Sequence, residues 1–428
     1  MNSHTSLIFI FSFYSIYYLF KSKSRNEFLI ILTIFLFLLQ FGSFPNRIDA
    51  FITEPVNIRP MDIALILLII AIFHDKFSKL KYSPLTFNEP LLSIFVLLTF
   101  IYLISGIVKF GYASLAEFRL VLFFIIILMF VSVCIQSHEM LNIIRSIATY
   151  LMPLILLVPL NLILINNYAI NIQNRQFNAY IYETVTVGFL AGYLYYQYID
   201  RKFKLPIKLL PVFLIMIPYC SHRTVWAIIF ATLPIILYWT KQNKYYIYAI
   251  VLGVLGALYF QIDPTFLENR LTAFTNISSD VTGRWRLYIW EAVISQATFF
   301  GNGLGARWHV VADVIGEQAM HGAHSGYIQI LYYLGYFGVF NILLLLLYYL
   351  LKTYSLTIKS NLSAKELFIY RLSFLSLISL MLYMFGYGPD LLSWFFIGFS
   401  LKWVYLKKYN WFRFERQLSQ NLRRHPII

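Results

Sequence analysis

Charge is scarce in this chain. Only 12% of its 428 residues are Asp, Glu, Lys or Arg, about half the fraction usual in soluble globular proteins. A chain that is 60% hydrophobic, with a mean hydropathy of +0.69, cannot hide its apolar surface from water. A soluble fold is excluded and a polytopic membrane protein is implied. Cysteine is nearly missing as well. Cys134 and Cys220 lie in or beside apolar runs without metal-ligand spacing, which suits small hydrophobes in a core. No repeat of solenoid length is present. No pair of matched halves with broken helices, a pointer to many secondary transporters, is visible. Nucleotide-binding loops of the Walker or Rossmann type are absent. The first apolar run has no basic stretch before it and no small-residue cleavage site, so it reads as a retained span.

What is present is a series of apolar runs. They fall at 5–20, 28–44, 61–74, 90–108, 119–136, 147–165, 184–199, 207–221, 224–240, 245–261, 326–350, 367–386 and 391–405. The fold class expected is all-α: a transmembrane bundle of about 12–14 spans near the ~20-residue length a bilayer needs. The run 61–74 is the shortest, at about 21 Å of helix. The net charge of +15 does not point to nucleic acid. Lys and Arg gather in short connectors (21–25, 76–81, 200–204, 241–244, 352–365) and in the tail from Lys402, as the positive-inside bias requires. This places the C-terminus inside and, with an odd span number, the N-terminus outside. The chain divides into a bundle over 1–261 with about ten spans, an outward loop over 262–325, spans over 326–406, and a basic inner tail over 407–428. The polar, aromatic segment Asn166–Glu183 falls outside.

Lysine disappears between Lys244 and Lys352, while arginine persists at 270, 284, 286 and 307. Topology explains the missing lysines of an outward loop; the remaining arginines need another reason. From Arg284 to Phe300 a helical wheel puts Trp285, Ile289, Ala292, Val293, Phe299 and Phe300 on one side. Arg284, Glu291, Ser295 and Thr298 lie on another. The expectation is an amphipathic helix at the outer interface, with Arg284 toward a cavity or paired with Glu291 or a lipid phosphate. Gly301-Asn302-Gly303-Leu304-Gly305 reads as a flexible bend ending that helix; a phosphate cradle is the lesser option. His321 and His324 share i, i+3 spacing, yet no carboxylate or Cys stands beside them to complete a metal site. A His at the mouth of the next helix suits a general base; it equally suits a backbone-bonded interfacial His. Ser221-His222-Arg223-Thr224 is a tight turn between two runs, facing the same side as the loop. There Arg223 either serves the site or snorkels to lipid phosphate.

Three motifs in this order resemble the O-antigen polymerase and O-antigen ligase superfamily of bacterial envelope glycosyltransferases. They are an Arg after a Ser-containing turn (Ser221–Arg223), Gly283-Arg284 opening a loop helix before the Gly301–Gly305 bend, and His324-Ser325 ahead of Gly335–Gly338. The resemblance covers about 221–340 by motif and the rest by span layout. One position departs: the family often carries Asn after this His, where Ser325 stands here, which leaves His321 open beside His324.

The resemblance implies a metal-independent, cofactor-free transfer at the periplasmic face of the bacterial inner membrane. The donor is a glycan on undecaprenyl pyrophosphate. The acceptor is a sugar hydroxyl, on another lipid-linked repeat unit (polymerase) or on lipid A-core (ligase). By position, Arg223 and Arg284 match the pyrophosphate binders and His324 the residue that activates the acceptor. Arg286, Glu291, Arg307, His321 and Tyr327 follow as sugar-binding or orienting residues. Implied partners are the lipid-linked donor and acceptor, membrane lipids, a chain-length regulator and a flippase, with no nucleic acid. Polymerase is the preferred reading, from short connectors and an Ile/Phe-rich, aromatic chain. Ligase is the alternative. A lipid-linked oligosaccharide transporter is the third, and would call for polar residues repeated through span interiors.

Overall fold

Long apolar stretches in a low-dielectric setting must satisfy their backbone internally, and helices do so. The computed structural model describes residues 3–41, 59–78, 90–111, 113–136, 138–156, 179–219, 223–240, 281–306, 325–358, 362–386 and 391–408. Among them there is no strand. The helices are α1 (Ser3–Lys21), α2 (Arg25–Phe41), α3 (Pro60–Ser78), α4 (Pro90–Phe110), α5 (Ala113–Cys134) and α6 (Met140–Leu151), which runs into a 3-10 turn, Met152–Leu156. They continue with α7 (Ala179–Tyr198), α8 (Leu205–Tyr219), α9 (Arg223–Thr240), α10 (Val281–Gln296), α11 (Gly326–Thr357), α12 (Ala364–Gly386) and α13 (Leu391–Lys408).

Three of these are long and apolar enough to cross a membrane: Leu92–Phe110 of α4, α11 and α12. They occupy different depths in the bundle. Of the most apolar stretch of α12, 72% is buried inside the protein, whereas in α4 the figure is 17%. α12 is thus an inner helix, packed on α7, α9, α11 and α13, while α4 shows most of its apolar surface outward. Large side chains are bare elsewhere too, Phe20, Phe230 and Tyr238 among them. Apolar exposure on this scale is intolerable in water and natural against lipid tails. One large core joins α1–α9 to α11–α13, and Cys134 is buried within it.

Several expectations need correction. The short run 61–74 belongs to a 19-residue helix, Pro60–Ser78, about 28 Å long; Arg59, Asp62 and Gln40 secure its start. The Asp62 carboxylate accepts from the Arg59 amide at 2.8 Å and Gln40 from the Met61 amide at 3.1 Å. The run 147–165 begins earlier, at Met140, as the amphipathic α6, and tightens to 3-10 geometry at Met152. Of the segment Asn166–Glu183 only the end from Ala179 is described; it forms the start of α7, where Glu183 is wholly buried. The run 245–261 and the tail beyond Lys408 lie outside the described residues.

The two ends of the bundle differ chemically. One carries Lys21, Lys23, Arg25, Arg371 and Lys402 among the described residues. There Arg25 pairs with Asp75 at 2.7 Å. Lys402 donates to the carbonyls of Ser132 (2.8 Å), Val131 and Ile135, at the end of α5. Arg371 donates to the Tyr198 hydroxyl and lies 4.7 Å from the Trp239 ring. The other end carries the starts of α9 and α11 and the bend after α10.

Candidate functional site

The bend and the helix after it form one unit. Gly301, Gly303 and Gly305 all have positive φ, 77°, 93° and 88°, and so does Gly335 within α11 (φ 73°, ψ −175°). α11 is therefore two helices meeting at a break. A break deep in an apolar bundle frees carbonyls on one side and amides on the other, and these need partners. The segment Thr298–Gly303 supplies them. The amides of Asn302 and Gly303 donate to the carbonyls of Tyr332 (2.9 Å) and Tyr333 (3.0 Å). The amides of Tyr336 and Phe337 donate to the carbonyls of Thr298 (3.4 Å) and Phe299 (3.1 Å). A Cβ on either Gly301 or Gly335 would run into the other's backbone, so the interlock needs both.

On its other side the bend meets α4 and α5. Ser114 Oγ donates to the Leu304 carbonyl at 2.8 Å, and Gly106 leaves room for that same carbonyl. Asn302 Nδ2 donates to the Gln296 carbonyl at 3.1 Å, capping α10. The bend, which ends α10 as expected, thus packs as a clamp with the amides of Gly301, Asn302, Gly303 and Ala306 hydrogen-bonded. It also removes the amides of Asn302 and Gly303 from any phosphate cradle.

α10 is amphipathic, with amended limits. Ile289 and Val293 are fully buried against Tyr102, Phe118, Tyr332 and Leu334, while Glu291 and Ser295 are exposed. Phe299 and Phe300 do not continue the helical face of Ile289 and Val293 as the wheel expected. The helix ends at Gln296, and they stand 60% and 64% exposed in the turn beyond it, near Phe337.

The last turns of α12 receive the starts of α9 and α11. Thr224, next to Arg223 at the start of α9, packs where a Cβ on Gly386 would fall. Ser325, next to His324, donates from Oγ to the Met384 carbonyl at 3.2 Å. Tyr327 donates to the Met381 carbonyl at 3.2 Å and packs on Phe385, ring centroids 5.0 Å apart. Thr224 and Ser325, about a hundred residues apart in sequence, are thereby gathered on Met381–Gly386. An apolar cavity opens beneath Gly326, lined by Leu304, Gln329, Met384 and Trp394 among others.

Of the residues singled out from sequence, Tyr327 is buried with its hydroxyl turned to α12, and Glu291 is exposed on α10. Arg223, Arg284 and Arg286 have described backbone, at the first turn of α9 and the first turns of α10; their side chains lie outside the described residues. His324, His321 and Arg307 lie outside them altogether.

Sequence reasoning passed over Asp62 and Arg119. Arg119 Nη1 donates to Asp62 Oδ2 at 2.9 Å, joining α5 to α3 at the end that carries the bend. Arg119 at the edge of one apolar run and Glu183 directly before another are themselves signals, because ionisable groups in membrane helices are costly and usually functional. Compared with protein-family models the chain matches none, and no curated protein matches it.

Proposed function

We propose that this chain is an inner-membrane glycosyltransferase of the O-antigen polymerase kind, joining undecaprenyl-pyrophosphate-linked repeat units at the periplasmic face. The observation that carries the reading is the gathering of the α9 and α11 starts on the last turns of α12. It supports a shared site for Arg223 and His324, which the motif resemblance pairs but sequence distance separates. α10, clamped against the first half of α11, brings the Arg284 helix to the same assembly.

The chemistry follows from the residue types. The leaving pyrophosphate gains charge as the glycosyl bond breaks. Two permanently charged guanidiniums, Arg223 and Arg284, offer bidentate donors for that charge in a water-poor setting. The neutral imidazole of His324 takes the proton of the attacking sugar hydroxyl. Arg286, Glu291, Arg307, His321 and Tyr327 line or brace the sugar path. The apolar cavity under Gly326 suits a prenyl chain beside that centre. A flippase would deliver the repeat units and a chain-length regulator would act on the product.

The break in α11 is the one feature that favours a transporter, since broken helices commonly form transporter sites. Here the freed backbone groups at Tyr332, Tyr333, Tyr336 and Phe337 are taken by the bend, which favours a rigid scaffold over a substrate path.

Deletion of the gene in its host, followed by lipopolysaccharide electrophoresis, tests the reading. Core carrying a single repeat means polymerase. Loss of all O-antigen means ligase, and an unchanged pattern rejects both. Arg284→Ala and His324→Ala should remove activity while the protein stays in the membrane. Each Arg truncation is expected to cost about 10²–10³ in rate, as for lost oxyanion donors. Full activity in both variants would remove the site.

A further inference from the structure

The lysine-rich end holds a pocket of about 410 Å³ between α1, α2, α6 and the connector after α7. Lys21, Lys23 and Arg145 line it together with Glu27 and Glu139. No close ion pair joins these opposite charges among the described residues. The Lys23 ammonium has no partner among the described residues. Lys21 lies over the rings of Tyr17 and Tyr18, at 5.6 and 5.7 Å. Arg145 lies 5.4 Å from the Phe203 ring and a loose 3.9 Å from Asp200. Glu27 accepts the backbone amide of Lys23 at 3.3 Å. Glu139 accepts from Asn26 at 3.1 Å and from the Gln136 amide. Neither carboxylate makes a close ion pair among the described residues, although the Arg25 guanidinium acts electrostatically on Glu139.

A pocket in which Lys23, Glu27 and Glu139 make no close ion pair is matched by a ligand that carries charges of both signs. It opens at the end of α1, whose Phe13, Tyr17 and Phe20 form an exposed apolar face at i, i+4 and i+7 spacing leading up to Lys21. That face would lie along acyl chains, with the pocket at headgroup depth. Basic connectors at this depth are where phospholipid phosphate is met.

We propose that this pocket holds a phospholipid headgroup carrying both phosphate and ammonium, phosphatidylethanolamine. The phosphate faces Lys21, Lys23 and Arg145, and the ammonium donates to Glu27 and Glu139. The shared chemistry is phosphoethanolamine; the apolar face of α1 selects the lipid over the free headgroup. The site lies at the opposite end from the bend and from the α9 and α11 starts, so it stands independently of the transfer reaction.

Delipidated protein in detergent, mixed with defined lipids and read by native mass spectrometry, tests this. One phosphatidylethanolamine should be retained about tenfold more tightly than phosphatidylglycerol, which lacks the ammonium, or phosphatidylcholine, whose ammonium has no N–H to donate; that ratio corresponds to about 1.4 kcal/mol. Glu27→Gln should erase the preference over phosphatidylcholine. Lys23→Gln, a side chain with no contact to lose, should weaken all three lipids. Equal retention of phosphatidylglycerol with no effect of Glu27→Gln would overturn the zwitterion match. Free phosphoethanolamine competing as well as the lipid would overturn the lipid assignment, and no retained lipid would overturn the site.

Discussion

Replacing Gly335 by alanine isolates the clamp between the bend and α11. The residue sits at φ 73°, where a Cβ brings a strain of about 1–3 kcal/mol. The new methyl would also fall on the Gly301 nitrogen and the Phe299 carbonyl, both backbone and unable to rotate away. Forcing atoms into a packed site costs a further ~1–3 kcal/mol. Together these give roughly 2–6 kcal/mol, with the hydrogen bonds of Tyr336 and Phe337 weakened as the segments part. Gly111→Ala is the control. Gly111 also has positive φ (61°), but no atom of the described residues lies within 4 Å of a Cβ there, so only the strain applies. Equilibrium unfolding of both variants in mixed micelles measures the difference. Gly335→Ala should be the less stable by about 1–3 kcal/mol. Gly301→Ala should resemble it, and the double variant should cost less than the sum, because both break one contact. Equal destabilisation by Gly335→Ala and Gly111→Ala would refute the interlock.

Three further outcomes are expected from the same measurement. Ser114→Ala removes the donor to the Leu304 carbonyl and should cost about 1–3 kcal/mol, the price of an unmet buried acceptor. Lys402→Met leaves the carbonyls of Val131, Ser132 and Ile135 at the end of α5 without their shared cation; a loss of about 1–3 kcal/mol is expected, and no loss would show that other groups cap α5. Asp62→Asn removes the carboxylate charge that Arg119 Nη1 bonds and weakens the bond to the Arg59 amide. It should destabilise by about 1–3 kcal/mol, whereas Glu291→Gln, on the exposed face of α10, should lie within about 0.5 kcal/mol of the parent.

Most helices were legible from the sequence because hydropathy is local and additive: twenty apolar residues in a row leave the backbone few choices. Thus the runs 90–108, 326–350 and 367–386 match α4, α11 and α12 in place. The period of 3.6 likewise separated Ile289 and Val293 from Glu291 and Ser295 on α10. It misled at Phe299 and Phe300 because periodicity does not state where a helix stops. Gly335 gave no warning of a break, since isolated glycines are tolerated inside helices. Only the bend packed against it, thirty-odd residues earlier in the chain, makes the break satisfiable. Asp62 and Arg119, 57 positions apart, and Thr224 and Ser325, meeting on α12, share no local pattern; pairing of this kind is a property of packing. By itself, then, the sequence determined an all-helical membrane chain with its basic connectors and candidate Arg and His motifs, since those depend on composition and short-range order. The tertiary structure alone decided which helix ends meet, where α11 breaks, and which charges at the lysine-rich end make no close ion pair among the described residues, since those depend on contacts between distant segments.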